Sequence, residues 1–123
     1  MLSVRFSSCA DFAAVYIEEA HPAEAPNFGG NVQIDQHKNI KERVEASKML
    51  EQFRQNKTDF NILVDLMENK ASKAYAALPE RLYIIKDGVI IYEGGQGPFD
   101  CKLEDVEKFL ENFEKKIIEK EEA

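Results

Sequence analysis

The residue types best suited to chemistry in this sequence lie in one short block, Tyr16-Ile-Glu-Glu-Ala-His21-Pro22. The block closes the run from Asp11 to Ile17, which predicts a buried parallel strand because its apolar residues do not alternate with polar ones. Ligands of open α/β sheets bind at the carboxyl ends of parallel strands. The position is compatible with a ligand-binding or catalytic role for His21, although by position alone a histidine without such a role is the more common case. Glu18 fits a solvated turn.

The elements that would position this block begin with a long segment from His21 to Asp35, rich in Pro, Gly and Asn. Loops of that length are more often functional than idle. A helix follows, with Asn39 as its cap and Glu42 completing a capping box. Its inward face is predicted to hold Ile40, Val44, Leu50 and Phe53. Asn61 to Asp65 predicts a second short buried strand.

The second half of the chain has the clearest local signals. Glu68 to Tyr75 predicts a short helix with Ala71, Ala74 and Tyr75 inward, and Pro79 then either terminates it or forms a cis peptide bond. Lys86-Asp87-Gly88 predicts a hairpin turn between strands Arg81–Ile85 and Val89–Glu93, because glycine tolerates a positive φ. An amphipathic helix follows, with Leu103, Val106, Phe109, Leu110, Phe113 and Ile117 on one face. Residues 119–123 are predicted to be a frayed, solvated tail.

This element order is the plan of a thioredoxin-like fold, an α/β fold with a mixed sheet and flanking helices. The hairpin is expected to join the parallel strands in one sheet, and residues 1–123 to form a single domain. About ten residues precede the first predicted strand, so the first strand–helix unit of that fold is expected to be missing or truncated. In this fold a cis proline precedes the hairpin, where Pro79 stands.

Composition excludes several classes of function. The 123 residues carry a formal net charge of −7, which argues against a nucleic-acid surface or binding to an anionic membrane. The sequence has no apolar run of about 20 residues, as a membrane span requires, and it reads as a soluble, cytoplasmic protein. Cys9 and Cys101 show no CxxC or zinc-ligand spacing, so no metal site is predicted and both are expected to be inert thiols.

Several collinear blocks resemble the iodothyronine deiodinases, selenoenzymes with a thioredoxin-like catalytic domain. The similarity starts in the Tyr16–Pro22 block and covers most of the chain from about Asp11 to the last helix. The further blocks are Ile34-Asp-Gln-His37, Leu63-Val-Asp-Leu-Met-Glu-Asn69, Ala71-Ser72, Ala74-Tyr75, Pro79-Glu-Arg-Leu-Tyr83, Asp87-Gly88 and Tyr92-Glu-Gly-Gly-Gln-Gly-Pro98. One such block would be weak evidence for the resemblance, whereas several blocks in the same order are specific evidence for it.

The resemblance implies reductive removal of iodide from iodothyronines or other halogenated phenols, with a thiol reductant as cosubstrate. Glu19 and His21 match the proton-relaying pair, in which a carboxylate beside the histidine raises its pKa. His37 matches a second histidine that contacts substrate, and Arg81 matches an arginine that binds the far end of the hormone, while Tyr16 supports the site. Pro79 matches the structural cis proline. Family members dimerise, so a homodimer is implied.

The sequence also departs from the family. The selenocysteine and its Ser-Cys-Thr context are expected upstream of Met1, and Cys9 does not replace them. Ala-Glu-Ala-Pro-Asn-Phe follows Pro22 in place of Ser-Asp-Gly-Trp, and Asp35 stands where proline is usual. The membrane anchor that leaves the family's catalytic domain facing the cytosol is likewise expected to be absent from these 123 residues. Without a nucleophile the chain alone is expected to be inactive.

Two other functions stay open. One is a non-enzymatic thioredoxin-like binding module that keeps the hormone pocket. The other is a thiol-dependent peroxidase or disulfide reductase, because such proteins share the element order. The second requires a cysteine or selenocysteine after the first strand, whereas the Glu-Glu-Ala-His and Pro-Glu-Arg-Leu blocks favour a deiodinase.

Overall fold

A computed structural model describes residues 2–20, 34–52, 60–97 and 99–122. Their elements are α1 (Leu2–Arg5), β1 (Ala13–Tyr16), α2 (Ile40–Gln52), β2 (Asn61–Val64), α3 (Lys70–Ala74), β3 (Tyr83–Lys86), β4 (Val89–Glu93) and α4 (Leu103–Glu122). The α/β class is thereby confirmed, in the predicted element order. His21, most of the segment from His21 to Asp35, and Phe53 lie outside the described residues.

The chain divides into two compact units. The parallel-strand unit is Phe12–Pro79, and the hairpin unit combines Met1–Asp11 with Glu80–Ala123. In the parallel-strand unit β1 and β2 pair in parallel, as predicted, with Ala13 opposite Asn61 and Tyr16 opposite Val64. The ladder continues past β2, because the Asp65 N–H donates to the Tyr16 carbonyl at 2.9 Å.

The prediction that both parallel strands are buried is wrong. Burial alternates along each strand, and Val15 and Leu63 are 46% and 54% exposed. Alternate side chains of a strand point to opposite faces of the sheet, and α2 packs against β2. The described residues therefore cover one face of this two-stranded sheet and leave the other open.

Helix α2 begins at the predicted cap. The Asn39 side-chain oxygen accepts the Glu42 N–H at 2.9 Å, and the Glu42 carboxylate accepts the Lys38 N–H at 3.2 Å. The predicted apolar inward face is wrong, because Ile40, Val44 and Leu50 are all partly exposed. The buried side chains of α2 are Arg43 and Ser47, because the interior of this unit offers hydrogen-bond acceptors to the guanidinium.

The Asn39 cap yields a testable stability effect. Asn39→Ala removes the side-chain acceptor of the Glu42 N–H, and loss of such a cap costs about 1 kcal/mol. We expect the unfolding free energy of the chain to fall by about that amount in urea denaturation. Lys38→Ala is the matched control, since Lys38 contributes its backbone N–H to the cap and its side chain is exposed. Equal stability of the two variants would contradict the capping role.

Helix α3 is shorter than predicted and presents a different face. Ser72 is buried, whereas Ala74 and Tyr75 are exposed, so their predicted inward orientation is wrong. The reason is that the Ala71 and Ser72 N–H groups bind the Asp65 carboxylate, which turns the amino end of the helix towards β2. Beyond the helix the Leu78–Pro79 peptide is cis. Of the two predictions for Pro79, this is the cis peptide bond expected of a thioredoxin-like fold.

The hairpin of the second unit forms as predicted. β3 and β4 pair antiparallel, and the turn residues Asp87 and Gly88 have φ values of 52° and 78°. A two-residue turn with both φ values positive matches the right-handed twist of the strands. Among the described strands the hairpin is a sheet of its own, so the predicted single sheet of all strands is not what these strands form. Element order predicts neighbours along the chain but not the ladder that joins two strand pairs.

Helix α4 supplies the core of the hairpin unit. Val106 and Leu110 are buried, as is Phe6, and the Phe109 ring lies 5.5 Å from the Tyr92 ring. Leu103, at the start of the predicted apolar face, is 60% exposed. The predicted solvated tail is exposed over residues 119–122, but these residues are helical rather than frayed, because α4 continues to Glu122 through residues with good helix propensity. No helix within the described ranges is long and apolar enough to cross a lipid bilayer.

Candidate active site

Three of the sequence-predicted site residues meet at the carboxyl end of β1. The Tyr16 hydroxyl donates a hydrogen bond to the Glu19 carboxylate. The Tyr16 oxygen also lies 3.1 Å from Nε2 of His37, and that Nε2 lies 3.9 Å from Glu19 Oε1. The structure thus forms a continuous path of exchangeable protons through an imidazole, a phenol and a carboxylate.

The local backbone explains how His37 reaches β1. The Gln36 side chain binds both backbone groups of Glu19, accepting its N–H at 3.0 Å and donating to its carbonyl at 2.9 Å. This paired contact fixes the segment before α2 beside the end of β1. His37, the next residue, is then directed towards Tyr16, with the two ring centroids 5.3 Å apart.

A buried arginine supports the imidazole from α2. Arg43 is 2% exposed, and its Nε donates to Nδ1 of His37 at 3.0 Å. Its Nη1 donates to the Leu66 carbonyl at 2.8 Å and to the Asn69 side chain at 3.0 Å. Asn69 in turn donates to Glu18 at 3.2 Å, so Glu18 is held rather than simply solvated.

Asp65 organises the turn between β2 and α3. Its carboxylate accepts three backbone N–H groups, from Leu66, Ala71 and Ser72, at 2.8 to 2.9 Å. Burial opposes the charged carboxylate, but these three bonds and the Arg43 charge prevail and hold the pKa of Asp65 below its ordinary value. Asp65 is therefore ionised at neutral pH and supports the acceptors that hold Arg43.

The phenol of Tyr16 stays protonated far above neutral pH. Burial, the hydrogen bond to Glu19 and the negative charge of Glu19 all raise the pKa of Tyr16, and the Arg43 charge lowers it only in part. Exposure increases along the path, because the His37 side chain is 1% exposed and that of Glu19 is 24% exposed. Solvent or a ligand therefore meets this path at its carboxylate end.

The other predicted site residues are Arg81 and His21. Arg81 belongs to the hairpin unit, where its Nε donates to the Gly94 carbonyl at 2.8 Å and its Nη2 pairs with Glu93 at 3.1 Å. His21 lies outside the described residues.

The two cysteines are free, and burial is the main cause that raises the pKa of each thiol. The thiolate is the nucleophilic form, so both are poor nucleophiles at neutral pH. In the described ranges no three His, Cys, Asp or Glu side chains cluster as metal ligands.

An open groove of about 510 Å³ lies beside the amino end of α2. It is lined by Ile34, Asp35, His37, Asn39, Lys41, Glu42, Glu45 and Ala46. Neither Tyr16 nor Glu19 is among these residues. We therefore place the candidate site at the Tyr16, Glu19 and His37 contacts, where the groups that exchange protons meet.

Comparison with known proteins shows the family of the chain. The family model described as iodothyronine deiodinase matches residues 1–114. The chain belongs to the iodothyronine deiodinase family. A type I iodothyronine deiodinase of Xenopus laevis is 42% identical over 106 residues, covering 86% of this chain and 41% of that protein. The chain thus spans about two fifths of the length of this relative.

Other deiodinases show the same relationship. A type II iodothyronine deiodinase of Petromyzon marinus is 38% identical over 107 residues, covering 87% of this chain and 37% of that protein. A thyroxine 5-deiodinase of Bos taurus is 35% identical over 117 residues, covering 94% of this chain and 38% of that protein. The deiodinase similarity therefore includes β1, α2, β2 and the hairpin.

Four residues of the candidate site were not predicted from the sequence: Gln36, Arg43, Asp65 and Asn69. Asp65 and Asn69 stood in a block that resembles the family, and Asp65 ends a predicted strand. Arg43 had a weaker signal, as a charged residue next to Val44 on a face expected to be apolar. Their roles depend on partners far along the chain, which local patterns do not reveal.

Proposed function

We propose that this chain is part of the catalytic domain of an iodothyronine deiodinase, which reductively removes iodide from an iodinated phenol ring. The hydrogen-bonded contact of Tyr16, Glu19 and His37 at the carboxyl end of a parallel strand carries the proposal. Family membership supports it, as do relatives named for action on thyroxine. The substrate class is an iodothyronine or another halogenated phenol.

The proposed reaction needs a nucleophile and a proton. A selenolate, supplied by the parent protein from sequence before Met1, attacks iodine, and the ring carbon keeps the electron pair of the broken bond. Two equivalents of the thiol cosubstrate then break the selenium–iodine bond, release iodide and regenerate the selenolate, and they leave as a disulfide. The described side chains form the path for the proton. Glu19 is the solvent-accessible end of this path, and the contacts of Tyr16 and His37 hold the Glu19 carboxylate in place.

His21 and Arg81 complete the proposal. His21 is two residues from Glu19 and is the proposed general acid, since an imidazole can donate a proton near neutral pH. Arg81 is proposed to bind the phenolate or carboxylate at the far end of the hormone, because a guanidinium stays charged and forms parallel hydrogen bonds. Its side chain is 19% exposed, which leaves part of it accessible.

The test compares iodide release by two proteins under a dithiol reductant. We expect the full-length enzyme, with its selenocysteine, to release iodide from thyroxine, and the purified 123-residue chain to release none, because the covalent step needs the nucleophile. Release by the chain alone would overturn the proposed nucleophile. Absence of release by the full-length enzyme would overturn the proposed function.

A binding measurement separates an enzyme from a binding module. Thyroxine binding to the full-length protein without turnover would support the non-enzymatic alternative and contradict the deiodinase proposal. Binding with turnover that is lost in full-length His21→Ala, at unchanged stability, supports the proposed general acid. An unaltered rate in this variant would remove His21 from the mechanism.

A further inference from the structure

We propose that Arg43 is a positioning residue that holds His37 as the neutral tautomer with its proton on Nε2. This tautomer gives the path through Tyr16 to Glu19 a single hydrogen-bond direction. The catalytic consequence rests on the proposed deiodinase function, whereas the tautomer itself does not. Arg43 acts through His37 and has no contact with the reacting atoms in this proposal.

The direction follows from what each group is able to donate. A guanidinium has only donors and keeps its charge in proteins. Because Nε of Arg43 lies 3.0 Å from Nδ1 of His37, Nδ1 must accept that hydrogen bond with its lone pair. A neutral imidazole carries one proton, so the proton lies on Nε2.

The rest of the path then has one arrangement. Nε2 donates to the Tyr16 oxygen at 3.1 Å, and the Tyr16 hydroxyl uses its own proton to bind the Glu19 carboxylate. The opposite arrangement would place a proton on Nδ1 facing the Nε–H of Arg43, so two donors would point at each other inside the protein. Both buried donors would then lack an acceptor, which disfavours that arrangement.

The hydrogen bonds of Nη1, on the side of the guanidinium away from His37, fix the position of the Arg43 side chain. Nη1 is bound by the Leu66 carbonyl, the Asn69 side chain and, at 3.4 Å, the Asp65 carbonyl. Asn69 adopts the left-handed conformation, with φ of 58°, and its amide also binds Glu18. The hydrogen bonds that spread from Arg43 in both directions therefore end at the consecutive carboxylates Glu18 and Glu19.

A lysine would not replace this arginine. The guanidinium presents Nε and Nη1 in one rigid plane, and the structure uses the first for His37 and the second for the turn after β2. A lysine ammonium is a single compact group on a flexible stem, so it reaches one of these sets of acceptors at a time. Arg43→Lys keeps the charge and loses the paired geometry.

The direct test is nitrogen NMR of the 123-residue chain near neutral pH with labelled histidine and arginine. The chain has two histidines, and His21→Gln assigns their signals. We expect His37 to show an unprotonated Nδ1 and a protonated Nε2, with a scalar coupling between Nδ1 and Nε of Arg43 across the hydrogen bond. A proton on Nδ1, or a doubly protonated ring, would overturn the proposal.

Variants test whether Arg43 is the cause. Arg43→Lys is expected to remove the coupling and to give a mixture of both His37 tautomers, whereas Arg5→Lys, a half-exposed arginine of the hairpin unit, leaves the spectrum of His37 unchanged. A pure Nε2–H tautomer in folded Arg43→Lys would overturn the positioning role. If that variant does not fold, the coupling in the wild-type chain still decides the outcome.

The consequence for catalysis is measured separately in the full-length enzyme. Arg43→Lys is expected to lower kcat by about 10- to 100-fold, with a smaller change in KM, because the relay is misplaced rather than removed. If Arg43→Lys loses the His37 tautomer preference but keeps the wild-type kcat, the proposed effect of the tautomer on turnover is refuted. If the wild-type enzyme releases no iodide, the proposed function fails, while the tautomer result is unaffected.

Discussion

Glu19→Gln is expected to lower the turnover of thyroxine by the full-length enzyme by about 100-fold or more, the usual range for loss of a proton-transferring group. Glutamine has nearly the shape of glutamate, and its carbonyl oxygen still accepts the Tyr16 hydroxyl. It does not exchange protons near neutral pH, so the geometry is kept and the chemistry is lost. Initial rates of iodide release at saturating substrate measure the effect.

The matched control for this experiment is Glu45→Gln. Glu45 is an exposed carboxylate on α2 that pairs with Lys48 at 3.1 Å and touches none of the path from His37 to Glu19. It should retain the wild-type rate. Both variants should unfold at the wild-type urea concentration, because neither removes a buried contact. Loss of a proton-transferring group would lower the rate far more than about threefold. If the Glu19→Gln enzyme keeps its rate within that factor of the wild-type rate, Glu19 is excluded from proton transfer.

Asp65→Ala is expected to lower the unfolding free energy of the chain by about 3 kcal/mol or more. The carboxylate is 4% exposed and accepts three backbone N–H groups, and each unsatisfied buried donor costs about 1–3 kcal/mol. Urea denaturation at neutral pH measures the loss, and Asp11→Ala, at an exposed aspartate, is the control. Equal stability of the two variants would contradict this account.

The same carboxylate predicts a pH dependence with a defined sign. The folded pKa of Asp65 lies below its ordinary value of 3.8. Its stabilising contribution is therefore complete above about pH 4 and is lost as the pH falls through the lower folded value. The unfolding free energies of wild type and Asp65→Asn should converge as the pH falls below about 4. A constant difference between them down to pH 2 would refute the assignment.

Local structure was predictable wherever a few neighbouring residues contain the whole cause. The Asp87-Gly88 turn formed because both residues adopt positive φ. The Asn39 cap formed because the acceptor and its N–H lie three residues apart. The order of helices and strands followed from hydrophobic periodicity. The strand-end position and the family resemblance together also pointed to Tyr16, Glu19 and His37 before their contacts were known.

Predictions of which face lies inward were less successful. Ile40 and Val44 were expected to face the interior of the parallel-strand unit, but Arg43 lies there instead. On α3, Ser72 is buried instead of Ala74 for a related reason, because the Ser72 N–H binds Asp65. Periodicity assumes that apolar side chains are buried. In the described part of this unit the buried side chains are polar: His37, Arg43, Ser47, Asp65 and Ser72.

By itself, the sequence determined the family, the order of the elements, the hairpin turn and the residue types at the end of β1. Only the tertiary structure decided which groups bind one another there. Arg43 and Leu66 are 23 residues apart, and Tyr16 and His37 are 21 apart. A buried polar group needs a hydrogen-bond partner, but the energy of that hydrogen bond is the same whether the partner is near or far along the chain. The partner is therefore set by how the elements pack, which local patterns do not encode.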